Sequence, residues 1–195
     1  MAQLKMYWLP GMPIEENPLP PGYSFSNYKD ASDKAPWVEC CKQGLLADDA
    51  TDKAFDERIT VNPNIHLQED VFFLDYEGEH IGTVTAFSDP NTRLGDMHMV
   101  GIRPDFRGKG LGKYLNQVTL CHLCERDITA VFLTTDEWRV AAVKSYLRAG
   151  FLPVQYDVGM EERWEAMLET LAIDHVQMLN EDGTPFRIVY RKSKA

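Results

Sequence analysis

Between Met97 and Val118 the chain changes its hydrophobic period, and the change falls on a turn that holds three glycines. Met97 to Ile102 is a short, mostly apolar run closed by Arg103-Pro104, the pattern of a strand that ends in a turn. Leu111, Leu115 and Val118 then recur at helical spacing. Between the two lies Arg107-Gly108-Lys109-Gly110-Leu111-Gly112. A strand that passes into a helix through glycines gathers unpaired backbone N–H groups and the positive end of the helix dipole at one point, which suits phosphate. The local charge agrees. Residues 101–113 hold Arg103, Arg107, Lys109 and Lys113 against Asp105, an excess of +3 in a chain of net charge −10.

Two nucleotide-binding loops of similar outline do not fit. A Walker loop closes on Gly-Lys-Ser/Thr, whereas Gly112-Lys113 is followed by Tyr114. A Rossmann loop needs a third glycine three places after its second, where Lys113 stands. Downstream, Ala130–Thr134 reads as a strand, and Trp138–Ala149 as a helix with Val140, Val143 and Leu147 on its buried face and Gly150 as its C-terminal cap. Tyr146 shares a flank of that helix with Ala142 and Arg139.

The Arg-x-x-Gly-x-Gly loop, taken with Ala142-Val143-Lys144-Ser145-Tyr146-Leu147-Arg148-Ala149-Gly150-Phe151, resembles the GNAT superfamily of acyl-CoA N-acyltransferases. In that family the first element is the pyrophosphate loop, and the second sets an alanine and a tyrosine one turn apart before Gly-Phe. The resemblance is motif-specific over residues 95–156 and rests on element order alone over 23–94. It implies an α/β (α+β) fold: a mixed, mostly antiparallel twisted sheet flanked by helices, with a V-shaped opening where CoA enters. It implies acetyl-CoA as cosubstrate, no metal, and transfer of the acetyl group to an amine by direct attack in a ternary complex. Carried over residue by residue, it places Val100, Gly101, Ile102, Arg107, Gly108, Lys109, Gly110, Leu111, Gly112 and Lys113 on the cofactor. The Ile102 amide would polarise the thioester carbonyl, and Tyr146 would protonate the leaving thiolate. The family's usual asparagine is Arg139 here; the position stays in the cofactor set, but the asparagine's contact to pantetheine does not carry over. A domain that binds CoA or acyl-CoA as a sensor without catalysis is the alternative, and a nucleotide in the loop a further one.

Acyl transfer to an alkylamine needs a proton acceptor, because an amine of pKa about 10.4 is neutral only one part in about 2,500 at pH 7, a cost near 4.6 kcal/mol. On the strand before the loop, Asp96, His98, Val100 and Ile102 alternate to one face. His98 has the pKa of a base, and Asp96 could act through water; a packed strand histidine and a turn aspartate are the competing readings. A bulge in this strand would undo both assignments. For the leaving group, tyrosine against thiolate is uphill by roughly 2 kcal/mol at ordinary pKa values.

The rest of the chain sets limits. Its 195 residues suffice for one domain without staples, and 44% hydrophobic with 26% charged residues is the composition of an ordinary globule. Expected boundaries are a proline-rich arm over 1–22, the acyltransferase domain over 23–173, and a C-terminal hairpin packed on it over 174–195. Within the arm, Leu4–Leu9 reads as an edge strand before Pro10 and Pro13. Helices are expected from Asp30-Ala31-Ser32 to about Gly44, over Asp48–Ile59, and over Glu161–Ala172; Val71–Tyr76 and His80–Phe87 read as a hairpin. Cys121 and Cys124 fall inside a helix and are expected to be small buried residues, and no metal set surrounds His122. The negative charge argues against nucleic acid and anionic membranes, and no secretory or membrane-spanning run is present, so the expected location is cytoplasmic. The admissible partners are a small-molecule or peptide amine and a second copy in a homodimer.

Overall fold

A computed structural model describes residues 2–192. The strands are β1 (Leu4–Trp8), β2 (Tyr23–Asn27), β3 (Val71–Tyr76), β4 (Glu79–Asp89), β5 (Leu94–Ile102), β6 (Ala130–Thr135), β7 (Leu152–Gln155), β8 (His175–Asn180) and β9 (Pro185–Tyr190). The helices are α1 (Lys34–Cys41), α2 (Lys53–Phe55), α3 (Leu67–Asp70), α4 (Gly112–Cys124), α5 (Val140–Arg148) and α6 (Met160–Leu171). Two compact units result, one spanning Glu15–Ile128 and the other joining the residues up to Ile14 with those from Thr129 onward. Inside the units β7–β8 is a parallel pair and the other pairings are antiparallel, so the strands form the mixed, mostly antiparallel system expected, flanked by helices.

In the Glu15–Ile128 unit, β2, β3, β4 and β5 pair in chain order. The β3–β4 connection is a two-residue turn in which Glu77 (φ 51°) and Gly78 (φ 87°) both take positive φ, the turn whose twist matches paired strands. One face of these strands carries an aromatic core. Tyr28 stacks on Phe55 at 5.1 Å and Trp37 meets Phe55 edge-on at 5.2 Å, with Ile59, Phe73 and Phe87 in the same cluster. A short turn at Ala31–Asp33, capped by Asp30 accepting from the Ser32 amide, leads into α1. The second expected helix is shorter than its pattern suggested. It begins at Lys53, not Asp48, and continues from Asp56 to Thr60 as a π-helical turn. Asp49 and Thr51 precede it, and Asp52 at its N-cap makes no side-chain capping bond.

In α4, Leu115, Leu120 and Leu123 turn inward while Cys121 and Cys124 are exposed, which corrects the expectation of buried thiols. Both fall off the phase of the buried stripe. Cys40 and Cys41 in α1 are buried. At the end of α4, the buried Asp70 accepts from the Arg126 guanidinium and lies 3.0 Å from His122 Nε2, so its charge is paired.

In the other unit β1 lies between β6 and β7, pairing antiparallel with both. It is an inner strand and not the edge expected from the nearby prolines. Pro10 and Pro13 fall beyond its last residue, so every ladder donor is kept, and Leu4, Met6, Tyr7 and Trp8 are all buried. Helix α6 crosses over between the parallel strands β7 and β8, burying Trp164, Met167, Leu168 and Leu171. The C-terminal hairpin of β8 and β9 therefore continues the strand order.

Candidate functional site

Strand β5 does not run true to its period of two. Thr85 pairs with His98 and Thr83 with Gly101, so two residues of β5, Met99 and Val100, stand against Val84 alone. Met99 takes the left-handed conformation (φ 52°) at this bulge. The consequence is a change of face. A Cβ built on Gly95 points at Leu123 of α4 (3.0 Å), whereas one on Gly101, six residues later, points at the Cys40 carbonyl (2.6 Å) and Cys41 of α1. With unbroken alternation both would face the same way. Asp96 and His98 thus share the face toward α1 and the π-turn, and Ile102 has turned to the other. The expectation of one common face for Asp96, His98, Val100 and Ile102 is corrected here, and the bulge is the reason. A role for Asp96 or His98 no longer follows from alternation and rests on their surroundings.

Those surroundings separate the two residues. His98 Nε2 lies 3.3 Å from the backbone carbonyl of Arg58, in the π-turn. A carbonyl only accepts, so Nε2 carries the proton and the neutral ring keeps its lone pair on Nδ1. Burial lowers the His98 pKa and favours that neutral ring; the hydrogen bond to the Arg58 carbonyl opposes this and the Arg58 charge adds to it. Asp96 is half-buried, and burial alone pushes its carboxyl up to about 7. No charge or hydrogen bond opposes that rise. Across from His98, the buried Thr85 hydroxyl has no hydrogen-bond partner among the described residues.

The loop that follows is built from backbone. Gly108 (φ 76°) and Gly110 (φ 72°) are left-handed, and a Cβ on either would meet nothing within 4 Å, so the loop is open above. Among the described residues the amides of Gly108 to Lys113 donate to no protein group, and α4 starts at Gly112 with no side-chain cap. This is a concave run of free N–H groups at the positive end of a 13-residue helix. Leu111 is buried and anchors the loop from below.

The four basic side chains are not equivalent. Arg103 is bound to both oxygens of Asp105 and to Glu79. Arg107 donates to three backbone carbonyls: Nε to Ile102 (2.8 Å), Nη1 to Gln43 (2.8 Å) and Nη2 to Lys42 (2.5 Å). Lys109 and Lys113 make no ion pair among the described residues; each ammonium lies over a ring, Lys109 over Phe106 (4.2 Å) and Lys113 over Tyr114 (4.9 Å). At the other end of the bulge the Arg103 amide donates to the Ile81 carbonyl (2.9 Å), so the amide of Ile102, one residue earlier, points to the opposite edge of β5.

Tyr146 and Arg139 belong to the other unit. Helix α5 starts at Val140, with Arg139 as its N-cap residue (ψ 48°), and it buries Val143 and Tyr146, while Val140 and Leu147 are half-buried. Its end is a Schellman cap: Phe151 N–H donates to the Tyr146 carbonyl (3.0 Å) and Gly150 N–H to Leu147 (3.1 Å), with Gly150 at φ 92°. The Tyr146 ring meets Phe151 at 5.9 Å. Burial pushes its phenol up to about 12, with Arg139 pulling weakly the other way. The Arg139 guanidinium pairs with Asp136 (3.3 Å) and lies over the exposed Trp138 (4.6 Å).

A bulged strand, a loop of free amides and the start of a helix thus lie in sequence along one segment of the chain, an arrangement suited to an anion. The model of the Acetyltransferase (GNAT) family matches residues 33–151, and the chain belongs to that family. It is 31% identical over 159 residues to a mycothiol acetyltransferase of Streptomyces coelicolor, covering 77% of this chain and 49% of that protein. A mycothiol acetyltransferase of Nocardia farcinica is 39% identical over 71 residues, covering 36% of this chain and 23% of that one. The chain spans about half the length, or less, of the curated relatives it matches. Among solved structures, the fold is similar to a GNAT-family acetyltransferase of Colwellia psychrerythraea (TM-score 0.59, 14% identity, 77% of this chain and 53% of that one). It is also similar to a GCN5-related N-acetyltransferase of Sphaerobacter thermophilus (TM-score 0.58, 19% identity, 78% and 49%).

Proposed function

We propose that the chain transfers an acetyl group from acetyl-CoA to an amine by direct attack. The observation that carries this reading is the run of free amides from Gly108 to Lys113 at the start of α4. CoA has about four negative charges on its phosphates, and the loop offers its pyrophosphate backbone donors with Lys109 and Lys113 as available cations. Ile102 offers the thioester carbonyl an amide, which draws electron density from the carbon that the amine attacks. Asp96, with a carboxyl near 7, is the better matched base, taking the amine's proton directly or through water; His98 can serve only through Nδ1. The tetrahedral intermediate then collapses, the C–S bond breaks, and the family resemblance assigns Tyr146 the proton that the thiolate receives. A phenol near 12 is about 5 kcal/mol uphill against an ordinary thiolate, more than unperturbed values require, so the thiolate must be desolvated as well. The acceptor is an amine, small molecule or peptide; the relatives' name makes mycothiol-type acceptors the first to try.

The purified protein is tested with acetyl-CoA and a panel of amines, with release of free thiol as the readout. Turnover with an amine supports the reading. Stabilisation by CoA without turnover on any acceptor would leave a CoA-binding sensor, and stabilisation by ATP or NAD but not CoA would overturn the donor itself.

A further inference from the structure

We propose that Arg107 is a positioning residue that lashes the phosphate loop to the end of α1, so that donor binding and the order of residues 42–46 rise and fall together. The inference rests on reading the loop as the donor site. Its geometry stands apart from that reading. The guanidinium reaches Lys42 and Gln43, the two residues just past α1, and Ile102, the last residue of β5. Three donors of one planar fork are thereby fixed on three carbonyls from two separate segments. Lys42, the C-cap of α1 at ψ 160°, and Gln43 have already turned out of the helix, so the guanidinium is held by the hydrogen bonds themselves, beside the negative end of α1.

Two further features tie the same place down. Gly101 lies so close to α1 that a Cβ would come within 2.6 Å of the Cys40 carbonyl, so the helix end is packed directly on the β5 backbone and cannot move closer to it. Gln43 sits at φ 53°, a strained conformation for a side-chain-bearing residue, and its carbonyl is one of the three that Arg107 holds. The amides of Leu45 and Leu46 both donate to the Cys41 carbonyl (3.1 and 3.0 Å), closing the turn that Arg107 supports. A phosphate could draw the guanidinium away only by stranding these carbonyls. Arg107 therefore acts on the donor through the loop's shape, and the direct contacts fall to the backbone amides, Lys109 and Lys113. Lysine cannot replace it, because one ammonium on a flexible stem does not span three fixed acceptors.

Hydrogen exchange of the full chain, with and without CoA, tests this in wild type, Arg107→Lys, Arg107→Gln and Lys109→Ala. In the ligand-free protein, exchange at Lys42, Leu45 and Leu46 is expected to rise about tenfold or more in both Arg107 variants and to stay unchanged in Lys109→Ala. CoA slows exchange there in wild type and no longer does so in the Arg107 variants. CoA affinity falls about tenfold in Arg107→Lys as in Arg107→Gln, and the salt dependence of binding is kept in Arg107→Gln but weakened in Lys109→Ala. Unchanged exchange at 42–46, or wild-type affinity in Arg107→Lys, overturns the proposal. Should the variants fail to fold, the Arg107 Nε–H signal of wild type decides by NMR: small movement on CoA addition is expected, and a large one indicates a direct phosphate contact and overturns the proposal. If wild type does not bind CoA, the donor reading fails, while the ligand-free exchange still decides whether the clamp exists.

Discussion

In the proposed function Asp96 is the residue at which stability and chemistry oppose each other. Its carboxyl is raised in the folded chain to about 7, above its ordinary 3.8, so the folded state binds the extra proton between those values. Stability from this group is therefore present at low pH and is lost as pH rises through about 7, where the buried carboxylate must carry its charge. Asp96→Asn is expected to raise the melting temperature at pH 8, by about 2–4 °C per kcal/mol recovered, and to leave it unchanged at pH 4. The same variant should remove the acid limb of kcat/KM, which in wild type rises with pH through about 7. Tyr146 gives the converse profile. With its phenol near 12 it stays protonated throughout the working range, so Tyr146→Phe should lower kcat by about 10²–10⁴-fold, leave CoA affinity nearly unchanged, and add no new pH limb. Residue types and spacing were enough to nominate both groups. They could not disclose what Arg107 holds, because its partners Lys42 and Gln43 lie 65 and 64 positions away and are touched through their backbones, which any residue type has.

Among the elements, the end of α5 is the most exposed to a single change. Gly150 at φ 92° closes the Schellman cap whose outer bond falls on the Tyr146 carbonyl. Gly150→Ala should cost about 1 kcal/mol or more, read as a lower melting temperature, and lower kcat through Tyr146 more than it weakens CoA binding. Elements set by local chemistry were legible in the sequence. The β3–β4 hairpin follows from Glu77-Gly78, and α6 from its buried stripe of Trp164, Met167, Leu168 and Leu171. Elements set by their neighbours were not. Leu4–Trp8 is an inner strand because β6 and β7 pair with its two edges, a property of partners distant in sequence, and its prolines misled only because they stand close to it in sequence. The π-turn over Asp56–Thr60 leaves no mark in residue type, and it is this turn that brings the Arg58 carbonyl to His98.

For the whole molecule, the charge balance sets how the proposed donor, CoA, would be met. A net charge of −10 repels a ligand with about four negative charges at long range, and ions screen that repulsion beyond about 8 Å in physiological salt. Close in, the excess of +3 around the loop is reduced by Glu79, which joins Asp105 on Arg103, and Arg107, though still charged, is fixed on carbonyls. Lys109→Ala and Lys113→Ala should each raise the CoA dissociation constant about two- to fivefold, with the double variant near the product of the two, measured by titration calorimetry. No helix among the described residues is long and apolar enough to cross a membrane. The bulge in β5 has a bearing on how such a chain can change over generations. Side chains at Met99 and Val100 can be exchanged within the limits of their backbone, but the number of residues between His98 and Gly101 cannot. Losing one would turn either the Asp96 side of the strand or the Gly101 contact with α1 the wrong way round. This stretch of strand is forgiving of spelling and strict about length.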